Sequence, residues 1–337
     1  MRAFVIDAFG PPGVFRSADL PTPTPGPGAV LVRVAATSVN PVDYKIRSGA
    51  AAALAPAFPA TLHMDVAGTV EALGPGVDAF AVGEAVFGCA GGMLGAEGPL
   101  PGALADFMVC DARLLAPKPP SLSFEEAAAL PLVWLTAWEG LAWTKARVRA
   151  GDRVLVYGGT GGVGHVAVQL ACALGAEVTA TASTEVKRET ARALGATHVS
   201  DHHAELPEEL SARVTGGAGF DVVFDTVGGA HVQVAARAAR PNGHVVTVGV
   251  GAKTDVSAMS RRALSLDVVW MLLPMFTGEG RERHGHALRE AARLFGEGRL
   301  RPLLDAERFA FEDAAGAHAR AESGEATGKV VLMNPAF

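Results

Sequence analysis

The clearest chemistry in the chain lies in Val154-Leu-Val-Tyr-Gly-Gly-Thr-Gly-Gly-Val-Gly164, an apolar run that ends in a glycine cluster. His165-Val-Ala-Val-Gln-Leu-Ala171 follows and reads as an amphipathic helix. Gly159-x-Gly161-x-x-Gly164 has the spacing of a dinucleotide-binding fingerprint. In that fingerprint the first glycine permits a tight turn and the second lets backbone approach a pyrophosphate. The third lets the helix pack on the strand. Thr160, Gly162 and Val163 complete the turn, and free N–H groups with the positive helix end face the phosphates. The chain has 40 glycines, so the spacing gains its weight from the strand before it and the helix after it. A second signal comes about 20 residues on, where an acidic residue would bind the ribose of NAD and repel a 2′-phosphate. Here Glu177-Val-Thr-Ala-Thr-Ala-Ser183 ends in Ser183, with Lys187 and Arg188 following. A hydroxyl and a cation at helical spacing suit a phosphate, which prefers charge-assisted donors. The expected guest is therefore NADPH (NADP+), against the plainer reading of Lys187 and Arg188 as a solvated helix face.

These groups need a scaffold, and 337 residues are enough for about two domains. A hydrophobic content of 49% supports large cores, and 19% charged residues suits a globular chain. The net charge of −6 argues against a nucleic-acid-binding face. Cys89, Cys110 and Cys172 share no Cys-x-x-Cys spacing, so they suggest neither a disulfide framework nor a four-cysteine zinc site. No run is apolar and long enough to span a bilayer, and the first residues do not resemble a signal peptide. A cytoplasmic protein without membrane partners is expected. Residues 1 to about 117 read as short strands between glycine and proline clusters, which suggests a barrel-like domain. Ser123-Phe-Glu-Glu126 is a capping-box pattern. From Asp152 onward strands and helices alternate, the pattern of a parallel sheet covered on both faces. The terminal Gly328-Lys-Val-Val-Leu-Met333 reads as a strand that returns to the first domain. The expected fold is α/β, a Rossmann-type doubly wound parallel sheet inserted into a β-rich domain.

Several motifs in one order carry a family resemblance. They are Asn40-Pro-Val-Asp-Tyr-Lys-Ile-Arg-Ser-Gly49, Asp65-Val-Ala-Gly-Thr-Val70 and Leu122-Ser-Phe-Glu-Glu-Ala-Ala-Ala-Leu-Pro-Leu132. Leu135-Thr-Ala-Trp138, the glycine turn, Phe220-Asp-Val-Val-Phe-Asp-Thr-Val-Gly-Gly229 and Gly328-Lys-Val-Val-Leu332 complete the set. The chain resembles the medium-chain dehydrogenase/reductase superfamily in its zinc-independent quinone oxidoreductase (zeta-crystallin-like) branch. The resemblance implies a GroES-like catalytic domain, at 1–120 and 265–337, interrupted by an NADP-binding Rossmann domain at 121–264. It also implies a homodimer or homotetramer, of which the dimer is the expectation. The positions matching the zinc ligands of metal-dependent relatives are Asn40 or its neighbour, Met64 and Leu132, none of which suits zinc. His63 lies one place off that register.

By the same resemblance, Asn40 and Asp43 belong to the active-site loop, with Tyr44 and Lys45 as candidate proton or hydrogen-bond donors. Asp43 equally suits a structural acceptor that fixes the loop. Thr136 matches a nicotinamide contact, and His202 a position near the 2′-phosphate. Asp225-Thr226-Val227-Gly228 and Gly249-Val250-Gly251 end strands where open α/β sheets bind ligands. Without a metal to polarise a simple carbonyl, hydride transfer favours a quinone or an α,β-unsaturated carbonyl acceptor. The expected function is an NADPH-dependent quinone or enone oxidoreductase. The alternatives are a 2-enoyl-thioester reductase and a non-catalytic, crystallin-like NADPH-binding protein.

Overall fold

A computed structural model describes residues 1–250 and 253–337. The chain divides into two compact units, Met1–Leu132 with Leu272–Phe337, and Val133–Met271. None of the described helices is long and apolar enough to cross a membrane.

The first unit is built on a seven-stranded sheet around the strand Ala29–Ser38. Its residues Val30–Val32 and Val34–Ser38 are buried, because neighbouring strands flank it and other elements cover its faces. Asp65–Leu73 pairs antiparallel with it, in a register shifted by two irregularities. Val331–Met333 pairs with it as well, Val331 opposite Ser38. This register has a chemical consequence. Running two residues back from Val331 and two on from Ser38 brings Lys329 alongside Asn40, and the Val39 N–H to Val330 C=O bond (2.9 Å) extends the pairing. Asp65, the first residue of its strand, lies at the same end of the sheet. The last strand of the chain thus delivers a lysine to the end of the longest-range strand pairing among the described residues of the unit.

The second unit is a six-stranded sheet whose neighbours are all parallel. Across it the order is His198–Ser200, Glu177–Thr181, Arg153–Tyr157, Phe220–Asp225, Ala239–Thr247 and Ser265–Val268. In chain order that is third, second, first, fourth, fifth and sixth. The order reverses between Arg153–Tyr157 and Phe220–Asp225, the switch point where such sheets bind ligands beyond their carboxyl ends. Tyr157, Asp225 and Thr247 are level across three adjacent strands at that end. One expectation is corrected here. The helix Gly164–Ala173 is buried along residues 164–171 rather than amphipathic, so its hold on the sheet comes from apolar packing all round.

Candidate functional site

In the second unit, the turn after Arg153–Tyr157 begins at Gly158, not at the first glycine of the fingerprint. Gly158 takes the left-handed backbone (φ +66°), which a side chain rarely tolerates. Gly159 has a packing role, since a Cβ there would lie 2.7 Å from Ala180 Cβ. The turn is tied to the next strand by the Gly158 N–H to Thr181 Oγ1 bond (3.1 Å) and the Gly159 N–H to Thr181 C=O bond (2.9 Å). Gly161 N–H closes back on Gly158 C=O (2.9 Å). The N–H groups of Gly162, Val163 and Gly164 have no acceptor among the described residues. They stand at a helix N-terminus, the arrangement that binds phosphate. Thr160 is buried within the turn. Gly164 is the least replaceable residue, because a Cβ there would lie 2.0 Å from Gly158 O. Gly164→Ala should therefore cost about 1–3 kcal/mol by overpacking. Equilibrium urea unfolding measures this, and an unchanged midpoint would show that the turn relaxes freely.

Ser183 and Lys187 are both partly buried where the strand Glu177–Thr181 passes into the helix Glu185–Ala193. Thr184 caps that helix, its Oγ1 accepting from Lys187 N–H (3.2 Å). Arg188 is committed elsewhere. It binds Asp201 (2.9 Å), Glu185 (2.8 Å) and the Ala182 carbonyl (3.3 Å), so its guanidinium is engaged within the protein. Partial burial first, and then the positive charges of His203, His231 and Lys187, push the His202 imidazole down, against Asp201. Basic groups thus gather at this edge of the sheet, and none of them is a carboxylate at the end of Glu177–Thr181.

Asp225 is fully buried and internally satisfied. It accepts from Val227 N–H (3.0 Å), Gly228 N–H (3.2 Å) and His231 Nδ1 (2.8 Å), and from Thr247 Oγ1 (3.4 Å). Its role is to fix the loop, not to present a carboxylate to a ligand. Thr226 Oγ1 donates to the Tyr157 carbonyl (2.7 Å), which leaves Val227, 64% exposed, as the face of the loop. Gly249 accepts from Gly229 N–H (3.0 Å), and Val250 is exposed. Gly251 lies outside the described residues. Thr136 is buried on the helix Pro131–Trp138. His231, which the sequence offers with His244 as able to reach the cleft but not as an assigned site residue, is oriented by Asp225 and lies edge-on to Tyr157 (centroids 4.5 Å apart). Its position directly after Gly228-Gly229-Ala230 was the available signal.

In the first unit, Asn40-Pro41-Val-Asp43 is a helix start that the sequence reading did not recognise. Asn40 precedes the helix Pro41–Ser48, proline occupies its first turn, and Asp43 Oδ2 accepts Asn40 N–H (2.8 Å). Gly49 ends the helix in the left-handed region (φ 85°). These local rules place Asn40, Asp43, Tyr44 and Lys45, and they separate their roles. Asn40 is completely buried, and its side chain is consumed internally. Nδ2 donates to Asp65 Oδ2 (2.7 Å), and Oδ1 accepts from Lys329 Nζ. Asp65 also accepts from Ser38 Oγ (2.7 Å) and Leu132 N–H (2.8 Å), and Lys329 Nζ lies 3.6 Å away. Lys329 further donates to the Val39 carbonyl (2.9 Å). Burial pushes its ammonium down, while Asp65, Asp43 and Cys89 hold it up. Neither Asp65 nor Lys329 was among the sequence candidates, although both lie inside quoted motifs. Asp43 is 1% exposed, and its Oδ1 has no hydrogen-bond partner among the described residues. Tyr44 is half-buried; burial and then Glu322 push its phenol up, so it keeps its proton at neutral pH. Lys45 is exposed.

Behind this cluster lies a second buried network. Arg47 Nη2 and Nη1 bind Glu322 (2.8 and 3.1 Å), and Nη1 faces His318 Nδ1 (3.4 Å). His318 Nε2 faces His63 Nε2 (2.9 Å), and His63 Nδ1 faces Thr37 Oγ1 (3.3 Å). Thr37 Oγ1 donates to the Asp65 carbonyl (2.5 Å). Arginine only donates, so His318 Nδ1 must accept and its proton sits on Nε2. His63 Nε2 therefore accepts, and its proton sits on Nδ1. One guanidinium fixes the tautomers of two neutral histidines. Among the described residues no group of three or more His, Cys, Asp or Glu side chains is arranged to hold a metal ion. Met64 and Leu132 offer no zinc donor, and Asn40 is engaged with Asp65 and Lys329, so this donor set does not fit catalytic zinc.

Residues 26–120 match the alcohol dehydrogenase GroES-like domain, and residues 194–332 match the zinc-binding dehydrogenase family. A spectinabilin polyketide synthase system protein from Streptomyces orinoci is 41% identical over 71% of this chain. The chain spans only 10% of that protein, and 6% of a mycoketide-CoA synthase from Mycobacterium tuberculosis. A 2-methylene-furan-3-one reductase from Solanum lycopersicum is 33% identical over 98% of this chain and 79% of its own length. Human quinone oxidoreductase is 29% identical over 99% and 98%. Among solved structures, an alcohol dehydrogenase superfamily protein from Novosphingobium aromaticivorans is 40% identical, with a TM-score of 0.91 over 98% of this chain and 99% of that one. Escherichia coli quinone oxidoreductase, solved with NADPH, is 26% identical, with a TM-score of 0.85 over 99% and 100%. With its parallel sheet, glycine turn and GroES-like unit, this chain belongs to the medium-chain dehydrogenase/reductase superfamily, in its quinone oxidoreductase-like branch.

Proposed function

We propose that the protein is an NADPH-dependent, zinc-independent reductase of quinones or α,β-unsaturated carbonyl compounds. The reading is carried by the N–H cradle at Gly162–Gly164 beside a strand end that bears Ser183 and Lys187 instead of a carboxylate. Bound nicotinamide supplies a hydride to the acceptor. The chain's own residues bind and orient: Gly159–Gly164 and the Asp225–Val227 and Gly249–Val250 loops hold the dinucleotide, and Thr136 faces the nicotinamide. Ser183, Lys187 and His202 take the 2′-phosphate. Asn40 positions the loop of the first unit, where Asp43, Tyr44 and Lys45 are the proton-donor candidates. The names of two relatives, a quinone oxidoreductase and a furanone reductase, support this acceptor class. The second reading, a 2-enoyl-thioester reductase, draws on the 41% identity with a segment of a polyketide synthase protein.

Cofactor oxidation with phenanthrenequinone, a simple enone and crotonyl-CoA as separate acceptors distinguishes these readings. No turnover on any of the three, despite tight NADPH binding, would favour the crystallin-like alternative. Ser183→Asp should weaken NADPH at least about tenfold, roughly 1.4 kcal/mol, while sparing NADH. Equal efficiency of both cofactors with the unaltered protein would retire the NADPH assignment. We further propose a homodimer. The sheet edge Ser265–Val268 pairs on one side only among the described residues, beside exposed Val268 and Trp270. Sedimentation of Trp270→Glu against the parent chain tests it, with a shift from dimer to monomer expected.

A further inference from the structure

Within the second unit, the loop 225–231 and the glycine turn form one assembly. Thr226 Oγ1 donates to the Tyr157 carbonyl (2.7 Å), and a Cβ on Gly158 would lie only 2.8 Å from Thr226 Oγ1. The loop therefore stands directly beside the turn that carries the N–H cradle, at the carboxyl end of the same sheet. Two of its side chains reach solvent. Val227 is largely exposed, with its N–H turned inward onto Asp225 Oδ1 (3.0 Å). His231 is partly exposed at the start of the helix His231–Ala238. Its ring is fixed twice, by Nδ1 against Asp225 Oδ1 (2.8 Å) and by edge-on packing against Tyr157. Asp225 otherwise takes only N–H and O–H donors, from Val227, Gly228 and Thr247, so it serves His231 as an acceptor. Nδ1 must then donate, and in the neutral ring the lone pair lies on Nε2. That nitrogen is across the ring from the buried carboxyl and has no partner among the described residues.

We propose that Asp225 holds His231 Nε2 as a hydrogen-bond acceptor for the exocyclic amino group of the bound dinucleotide's adenine, with Val227 against the face of the base. The proposal rests on the dinucleotide reading of the second unit; it is independent of the hydride acceptor and of the choice between NADPH and NADH. The ligand chemistry follows from the pair of side chains. A purine offers an apolar face and a polar edge, and the edge of adenine carries N–H donors at position 6, which an acceptor fits. Hypoxanthine has a carbonyl oxygen at that position, so two lone pairs would oppose one another there; its N1–H lies one ring atom away. Two acceptors brought together without a donor cost more than one lost contact. His231 thus reads the base, and Asp225 is a positioning residue that acts through it.

Calorimetric titration with NADP+ and with deamino-NADP+, its hypoxanthine counterpart, reads binding without turnover. At mildly alkaline pH, where imidazole is neutral, the parent should bind NADP+ about tenfold more tightly than the analogue. His231→Asn keeps an N–H for Asp225 at the place of Nδ1 and has no atom at the place of Nε2. It should bring the two affinities within about twofold of each other, by weakening NADP+ and not by strengthening the analogue. Nitrogen-15 spectra of the histidine rings give a second readout. His231 Nε2, identified by its loss in His231→Asn, should be the unprotonated nitrogen and should shift more with NADP+ than with the analogue. A histidine that only braces the loop would leave the preference intact in His231→Asn, or lower both affinities together, and either result overturns the proposal. Equal affinities in the parent overturn it as well, which keeps the test decisive if the variant fails to fold. Binding of neither dinucleotide by the parent overturns the cofactor reading along with it; tight binding without discrimination overturns only this inference.

Discussion

Lys329→Met is expected to destabilise the protein by about 3–5 kcal/mol, the cost of leaving one buried charge without its partner. The ion pair itself need not be strongly stabilising. Desolvating both charges offsets much of their attraction, so the pair contributes little net against an apolar replacement. The loss arises because methionine fills the space but removes the cation that faces Asp65, the Asn40 carboxamide oxygen and the Val39 carbonyl. Three acceptors in a buried setting would then lose one donor. The double variant Lys329→Met/Asp65→Asn should recover part of the loss, because no uncompensated carboxylate then remains. Urea unfolding of the parent, both single variants and the double variant measures the coupling. A cost below about 1 kcal/mol for Lys329→Met would show that solvent reaches the cluster.

The second large effect is acid sensitivity. Burial first, and then the positive charge of Arg47, lower the His318 imidazole to about 3. Burial, His318 and Lys329 hold His63 well below its ordinary 6.5. Both rings are neutral in the fold, and protonating either forces an N–H against another N–H or against Arg47. The sign follows from proton counting. Below about 6.5 the unfolded chain binds protons at these histidines and the folded chain does not, so stability falls as pH falls. The stabilisation is complete above about 6.5 and is lost progressively toward about 3 for His318. Each histidine contributes a slope of up to about 1.4 kcal/mol per pH unit, so the pair reaches about 2.7. Carboxylates titrate over part of the same range, so the informative quantity is a difference between proteins. His318→Gln keeps an N–H for His63 and an oxygen for Arg47, and it should halve the histidine contribution. An identical pH dependence for the parent and His318→Gln would mean that the pair is hydrated in solution.

The local chemistry of the site could be read directly from the chain. Glycine spacing in 158–164 has a meaning set by backbone sterics, and the non-acidic Ala182-Ser183 directly after Thr181 has one set by charge. The helix start at Asn40-Pro41-Val-Asp43 is equally legible through capping rules, because proline in the first turn and an acidic residue at the third helical position both mark a helix N-terminus. The family resemblance places Asn40 in the active-site loop among the catalytic residues, although its amide is spent on Asp65 and Lys329. Arg188 looked like a phosphate ligand by spacing alone; Asp201, thirteen positions on, claims it. The helix after the glycine turn looked one-sided because its polar residues are few and its neighbours were unknown.

The alternation of strands and helices, the glycine turn and the returning terminal strand were legible in the chain, because each depends on residues a few positions apart. Only the tertiary structure decided which polar side chains share a buried space. Asn40 meets Lys329 across 289 positions, and His63 meets His318 across 255. Such partners are chosen by strand register and helix packing, which no local spacing encodes. The balance of charge among Asp43, Asp65 and Lys329 is a property of that shared volume. It exists only once water has been excluded from all three groups together.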